Sequence, residues 1–135
     1  MKTTNARLRA FTLTELLIVL VIIGILVMMA LPKLMPIISK AKSTEAQLQL
    51  EHLYTLEKNH FYMYSKFSQE LEEIGFEHAD LVEDGGNANY RISVVESTNN
   101  TFKATATAVT DFDGDGVYNV WQIDQNKKLK EVIKD

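Results

Sequence analysis

Three regimes of hydrophobic spacing follow one another along the chain. From Leu16 to Leu31 every position is apolar or Gly, and from Phe11 to Leu31 there is one charge, Glu15. A bilayer is crossed by about 20 predominantly apolar residues in a helix, so Phe11–Leu31 is long enough to span. From Ser39 to Phe67 there is no Pro or Gly. Here Ala46, Leu50, Leu53, Phe61, Tyr64 and Phe67 recur largely at spacings of three, four and seven. Leu48, Leu56 and Tyr62 widen that stripe, and Glu57 interrupts it. Lys40, Lys42, Glu45, Glu51 and Lys58 fall mostly elsewhere. Such a period predicts an amphipathic helix with one face to pack. Beyond Asn89 the period drops to two. Tyr90–Val94 and Phe102–Ala108 alternate on either side of a turn at 97–100. Val117–Ile123 is a third predicted strand, and Leu129–Ile133 adds a fourth piece.

The joints between these regimes are equally marked. Pro32 and Pro36 each remove an amide donor and crowd the carbonyl four residues back. They predict a bend or local melting between Met28 and Pro36, or simply the end of the span. Ser68–Asn89 is a polar connection with a short helical stretch at Gln69–Ile74, punctuated by Gly75, Gly85 and Gly86. The expected fold is α+β: a long N-terminal helix, half transmembrane and half amphipathic, packed on a small antiparallel sheet of three to four strands. Small residues on one face of 102–108 leave room for the helix. The expected divisions are a basic leader, 1–10; a hydrophobic membrane helix, 11–36; an amphipathic helix, 37–67; and a loop with a C-terminal sheet, 68–135. An unbroken helix from Phe11 to Phe67 would be about 85 Å long, far too long for a compact globule.

Charge sets the orientation. Lys2, Arg7 and Arg9 precede the apolar run with no acid among them. Basic flanks stay cytoplasmic, so the precursor is expected to cross the inner membrane once with its C-terminal part exported. A secretory signal would have a small-residue cleavage site after its apolar core. Met28-Met29-Ala30-Leu31-Pro32 is a poor one. That leaves an uncleaved anchor, or a cut before the apolar run. The absence of Cys excludes a disulfide framework, a thiol nucleophile and a Cys-based zinc site. A net charge of −4 gives no general footprint for nucleic acid. No Ser/His/Asp grouping or phosphate loop supports an enzyme, and His52, His60 and His78 lack metal-ligand spacing.

Arg9-Ala10-Phe11-Thr12-Leu13-Thr14-Glu15-Leu16, followed by Gly24 and Pro32, resembles the processing and assembly segment of type IV pilins and type II secretion pseudopilins. The resemblance covers Arg7 to Pro32 strongly and the following helix loosely. It departs at one position, since Ala10 stands where the family usually has Gly. It implies a pilin fold, cleavage between Ala10 and Phe11 by a prepilin peptidase, and N-methylation of Phe11. The partners it implies are identical or related pilin subunits and a pilus or secretion assembly machinery, in a cell-surface or periplasmic filament. From the residues alone, Glu15 is an interfacial charge that reaches for water. Under the resemblance it becomes a docking charge for the new amine of a neighbour's Phe11. Gly24 admits a close helix or weakens its own, and Pro32 marks the end of the assembly segment.

One further segment offers chemistry. Residues 111–116 read Asp-Phe-Asp-Gly-Asp-Gly, alternate carboxylates on a glycine turn that can converge on a hard cation. The candidate ligands are Asp111, Asp113, Asp115, the Val117 carbonyl, Asn119 and Asp124, with calcium the candidate cofactor. The last position of an EF-hand loop would be Gln122 rather than Glu, so this is not a full EF-hand; a solvated acidic turn is the plainer reading. Asn99-Asn100-Thr101 matches a glycosylation sequon, a three-residue pattern common by chance. The aromatics Tyr54, Phe61, Tyr62, Tyr64 and Phe67 read as a hydrophobic seam in preference to an electron path. Three functional classes stay open: a filament subunit (pilin or major-type pseudopilin), a membrane-tethered calcium-binding module that does not polymerise, and an exported enzyme.

Overall fold

The computed structural model describes residues 10–135. Lys2, Arg7 and Arg9 of the expected leader lie outside the described residues. The chain divides into two units, one ending at Leu34 and the other spanning Met35–Asp135.

Helix α1, Leu13–Tyr64, begins immediately after Thr12 and supplies all the regular structure described in the first unit. Its apolar residues there are exposed on every side, from Leu16 at 54% to Leu31 at 49%. The expected melting between Met28 and Pro36 is absent, because the helix is unbroken through both prolines. Each proline lacks the amide that would donate within the helix, yet the helix continues through both.

In the second unit α1 packs by one narrow stripe. Ser39, Ser43, Ala46, Leu50, Leu53, Glu57 and His60 are buried, alternating spacings of four and three that keep to one helical face. Glu57 therefore belongs to the stripe that it was expected to interrupt. It is completely buried, and its Oε2 accepts the Ser68 amide at 3.1 Å. Tyr64, expected within the stripe, is instead exposed. The helix ends three residues before Phe67 because Ser65 takes a left-handed conformation (φ 54°), with its amide still bonded to the Phe61 carbonyl at 2.7 Å. His60 Nδ1 bonds the Lys66 carbonyl at 2.9 Å and ties that exit back to the helix. Phe67 reaches the core from outside the helix, stacked on Phe61 at 4.8 Å between ring centroids.

Residues 71–75 form a turn and not the expected helical stretch. The turn is closed by Gly75 N–H to Glu72 O and Phe76 N–H to Leu71 O. Gly86 is required further along, since a Cβ there would sit 2.0 Å from the Asp80 carbonyl oxygen.

The sheet is an antiparallel meander in the order β1-β2-β3-β4. Its strands are β1 (Tyr90–Ser97), β2 (Phe102–Ala108), β3 (Val120–Asp124) and β4 (Lys130–Ile133). Tyr90 pairs with Ala108, and a bulge falls between Val94 and Glu96. Ala104, Ala106 and Ala108 are buried as the small face of β2 and join Ala46, Leu50 and Leu53 in one core with Tyr90, Ile92, Phe102 and Ile123. The third strand starts at Val120 and not Val117, because the acidic loop holds the chain out of the ladder until then.

Burial pushes the Glu57 carboxyl above its ordinary value, although the Ser68 amide and His60 pull it back. Its Oε1 has no partner. A raised folded pKa contributes stability below the unfolded value of 4.5, and that contribution is lost as pH rises through the folded value. Glu57→Gln keeps an acceptor for Ser68 and removes the charge. It is expected to raise stability at pH 7 by about 1 kcal/mol, with a smaller difference at pH 4.5. Thermal melts of both proteins at the two pH values check this, and a larger gain at the lower pH would contradict it.

Candidate functional site

The processing segment lies at the start of α1. Ala10 and Phe11 precede the helix and are exposed, Phe11 at 79%. Thr12 and Glu15 form a reciprocal capping box. Glu15 Oε2 accepts the Thr12 amide at 2.8 Å and the Thr12 hydroxyl at 2.9 Å, while the Glu15 amide donates to Thr12 Oγ1 at 3.2 Å. The Thr-x-x-Glu spacing carries this signal in the sequence, and the docking role expected of Glu15 had obscured it. Glu15 thus presents its carboxylate at the positive end of the helix dipole, one turn from the Phe11 amide. Gly24 lies inside α1 with open space around it, and Pro32 lies inside the helix and not at its end.

The acidic loop sits between β2 and β3. It folds by successive side-chain-to-backbone bonds. Asp111 Oδ1 accepts from Gly114 N–H at 2.6 Å and Oδ2 from Gly116 N–H at 2.6 Å. Asp113 Oδ1 accepts from Asp115 N–H, and Asp115 Oδ1 from Val117 N–H. Gly114 and Gly116 have φ of 84° and 87°, where a side chain would strain the turn. The Gly116 amide, followed by that of Gly114, holds the Asp111 carboxyl below its ordinary value. Asp113 is displaced upward: the Asp115 amide acts against the shift, but partial desolvation and repulsion from Asp115, Asp135 and Asp111 outweigh it.

The expected ligand set is only partly assembled. Asp111, Asp113 and Asp115 converge, and the fourth member is Asp135, with one oxygen from each within 4.8 Å of the others. Asp135 Oδ2 accepts the Phe112 amide at 2.9 Å, and its Oδ1 is buried without a partner. An all-carboxylate donor set with an unpartnered buried oxygen fits a hard cation such as calcium. Val117 is tied to the loop by its amide. Asn119 and Asp124 are corrections to the expected set. Asn119 is fully buried. Its Oδ1 accepts the Tyr90 hydroxyl at 2.8 Å, and its Nδ2 donates to Glu131 Oε1 at 2.7 Å and to the Ile133 carbonyl at 3.0 Å. Burial pushes the Tyr90 phenol up to about 12, against the opposing effect of its bond to Ser43, so it stays a donor. Asp124 caps the β3–β4 turn through the Asn126 and Lys128 amides. No signal in the linear spacing points to Asp135; it is found through strand register, which sets Ile133 opposite Val120.

Two comparisons bear on this arrangement. Residues 6–31 match the prokaryotic N-terminal methylation motif. The chain is also similar to the type IV major pilin protein PilA of Myxococcus xanthus, at 40% identity over 89 residues. That match covers 66% of this chain and 39% of the Myxococcus protein, so the chain spans well under half of its relative's length.

Asn119 bridges α1, β1 and β4, and its loss strands several buried groups. Asn119→Ala is expected to destabilise the folded protein by about 2–3 kcal/mol. A thermal melt within 1 °C of wild type would contradict that role.

Proposed function

We propose that this chain, whose methylation motif and pilin relative support the type IV pilin and pseudopilin family, is the structural subunit of a type IV pilus-like filament. The observation that carries the reading is the N-terminal methylation motif on residues 6–31, which overlaps the start of a helix where every residue from Leu16 to Leu31 is apolar or Gly and exposed. The precursor crosses the inner membrane once, with its basic end cytoplasmic and its sheet exported. A prepilin peptidase cuts after Ala10, and the new amine on Phe11 is methylated. The helix then leaves the lipid by packing beside the same segment of other subunits. A carboxylate at the bilayer centre costs about 2.5–3.5 kcal/mol on insertion scales, and Glu15, near the cytoplasmic end of the span, carries a smaller part of that cost while unpaired. Placed instead against the Phe11 amine of a neighbour, Glu15 gains a charged partner where the dielectric is low, and this favours one register over slipped ones. The capping box holds the carboxylate at the helix end until that partner arrives. The chemistry asked of the chain is association, which points away from an enzyme.

The acidic loop supplies a second element. Asp111, Asp113, Asp115 and Asp135 would hold a calcium ion, joining the β2–β3 loop to the residue after β4. The ion would offset the mutual repulsion of these carboxylates and fix the end of the sheet. The same loop favours a second reading, a major-type pseudopilin of a type II secretion system. Imaging separates the two: long surface filaments belong to the first, short envelope-bound ones to the second.

Native protein is expected to begin at a methylated Phe11 by mass spectrometry. Glu15→Leu is expected to leave the protein in the membrane and abolish filaments. A chain still starting at Met1, or normal filament yield from Glu15→Leu, would overturn the assembly mechanism. Millimolar calcium is expected to raise the melting temperature by a few degrees, about 1 kcal/mol at several times Kd. Asp113→Ala should erase that shift, and an unchanged melt in wild type would remove the ion from the account.

A further inference from the structure

The two edges of the sheet are charged oppositely. Along β1 runs the connection from α1, and residues 69–84 contain seven carboxylates (four of them Glu70, Glu72, Glu77 and Asp80) and no Lys or Arg. It is held to that edge by the Ile92 amide donating to His78 Nε2 at 3.0 Å and by the Arg91–Glu83 ion pair. The seven carboxylate residues are all exposed. At the other edge, residues 127–134 contain four lysines and one acid, Glu131. They form the β3–β4 turn and β4, whose four residues are all exposed. Of the flanking acids, Asp124 is occupied by the turn amides and Asp135 is turned to the acidic loop, where it accepts the Phe112 amide, while Glu131 accepts from Asn119. The ion pairs among the described residues are Arg91–Glu83 and Lys103–Glu96, so Lys127, Lys128 and Lys130 have no carboxylate partner there.

Three strand spacings separate the edges, about 14 Å. That exceeds the screening length of about 8 Å at physiological salt, so the two patches do little to neutralise each other within one copy. β4 also presents unpaired backbone at an open edge, where lysines discourage indiscriminate strand pairing.

We propose that the acidic β1 edge of one copy docks on the lysine-bearing β4 edge of a second copy of this chain. The contact joins two different patches, so it is heterologous and propagates without closing on itself, as a helical filament requires. It rests on the filament reading and deepens it: the N-terminal segment supplies cohesion, and the edges select the angular position of each neighbour. Exposed charge pairs are individually weak, so the contact sorts registers and does not hold the filament alone.

Charge exchange in the full chain tests this. Lys127→Glu/Lys128→Glu/Lys130→Glu and, separately, Glu70→Lys/Glu72→Lys/Glu77→Lys are each expected to lower sheared filament yield about tenfold at equal membrane level. Both sets together restore opposite signs and should return the yield to within about twofold of wild type. Wild-type yield from both single-edge variants, or no recovery in the combined one, would overturn edge docking and leave the filament reading standing. Absence of filaments in wild type would overturn the filament reading itself, and edge docking with it.

Discussion

An apolar helical surface must be covered, and among the described residues of the first unit nothing covers it. From Leu16 to Leu31 the side chains face outward all round the helix. Burying a Leu- or Ile-sized side chain contributes about 1.5–3 kcal/mol, so the fourteen large apolar side chains in this run (all but Gly24 and Ala30) are untenable left in water. Two media remove them from water: lipid and other copies of the same surface. A methylation motif on residues 6–31 and a single carboxylate near the start fit a chain that uses the first and then the second. Under the proposed assembly Glu15 would make that exchange directional, because a purely apolar rod has no preferred register along its neighbours.

The second unit solves a different problem with the same helix. There α1 needs only one face against a sheet, and alternating spacings of four and three from Ser39 to His60 supply it. The stripe is not uniformly apolar. Ser39 and Ser43 open it, Glu57 and His60 close it, and Ala46, Leu50 and Leu53 hold its middle. Three of the four polar members contact a segment that must be placed: Asp135 for Ser39, Ser68 for Glu57 and the Lys66 carbonyl for His60. Apolar contact sets how close helix and sheet come, and these polar contacts fix where the connecting segments leave and return.

Much of this was legible in the sequence, for reasons that differ by element. The apolar run, the amphipathic period and the alternation in 90–94 and 102–108 are local patterns, and local patterns survive translation into structure. The prolines misled, because a proline reports only one lost hydrogen bond and the strength of its neighbours lies outside it. Glu57 misled because hydrophobicity alone cannot distinguish a carboxylate in water from one bonded to a buried amide. The helical stretch at 69–74 gave way to a turn once Gly75 took a left-handed conformation and Phe76 bonded back to Leu71.

The acidic loop shows why a site is harder to read than a fold. Asp111, Asp113 and Asp115 are neighbours in the chain, so alternation brings them together whatever the rest does. Asn119 and Asp124 extend the same linear logic and fail, since each lies at a strand end where a nearer demand takes its side chain. Asn119 meets a buried Tyr90 hydroxyl and the Ile133 carbonyl. Asp124 meets the bare amides of a tight turn. Asp135 lies twenty residues beyond Asp115 and arrives through the pairing of β3 with β4, whose register shifts at a bulge between Val120 and Trp121. Slipping that register by one residue would carry Asp135 to the opposite face. The completeness of the carboxylate cluster is therefore a property of the folded sheet, and any cation bound there would in turn favour that register over its slipped alternatives.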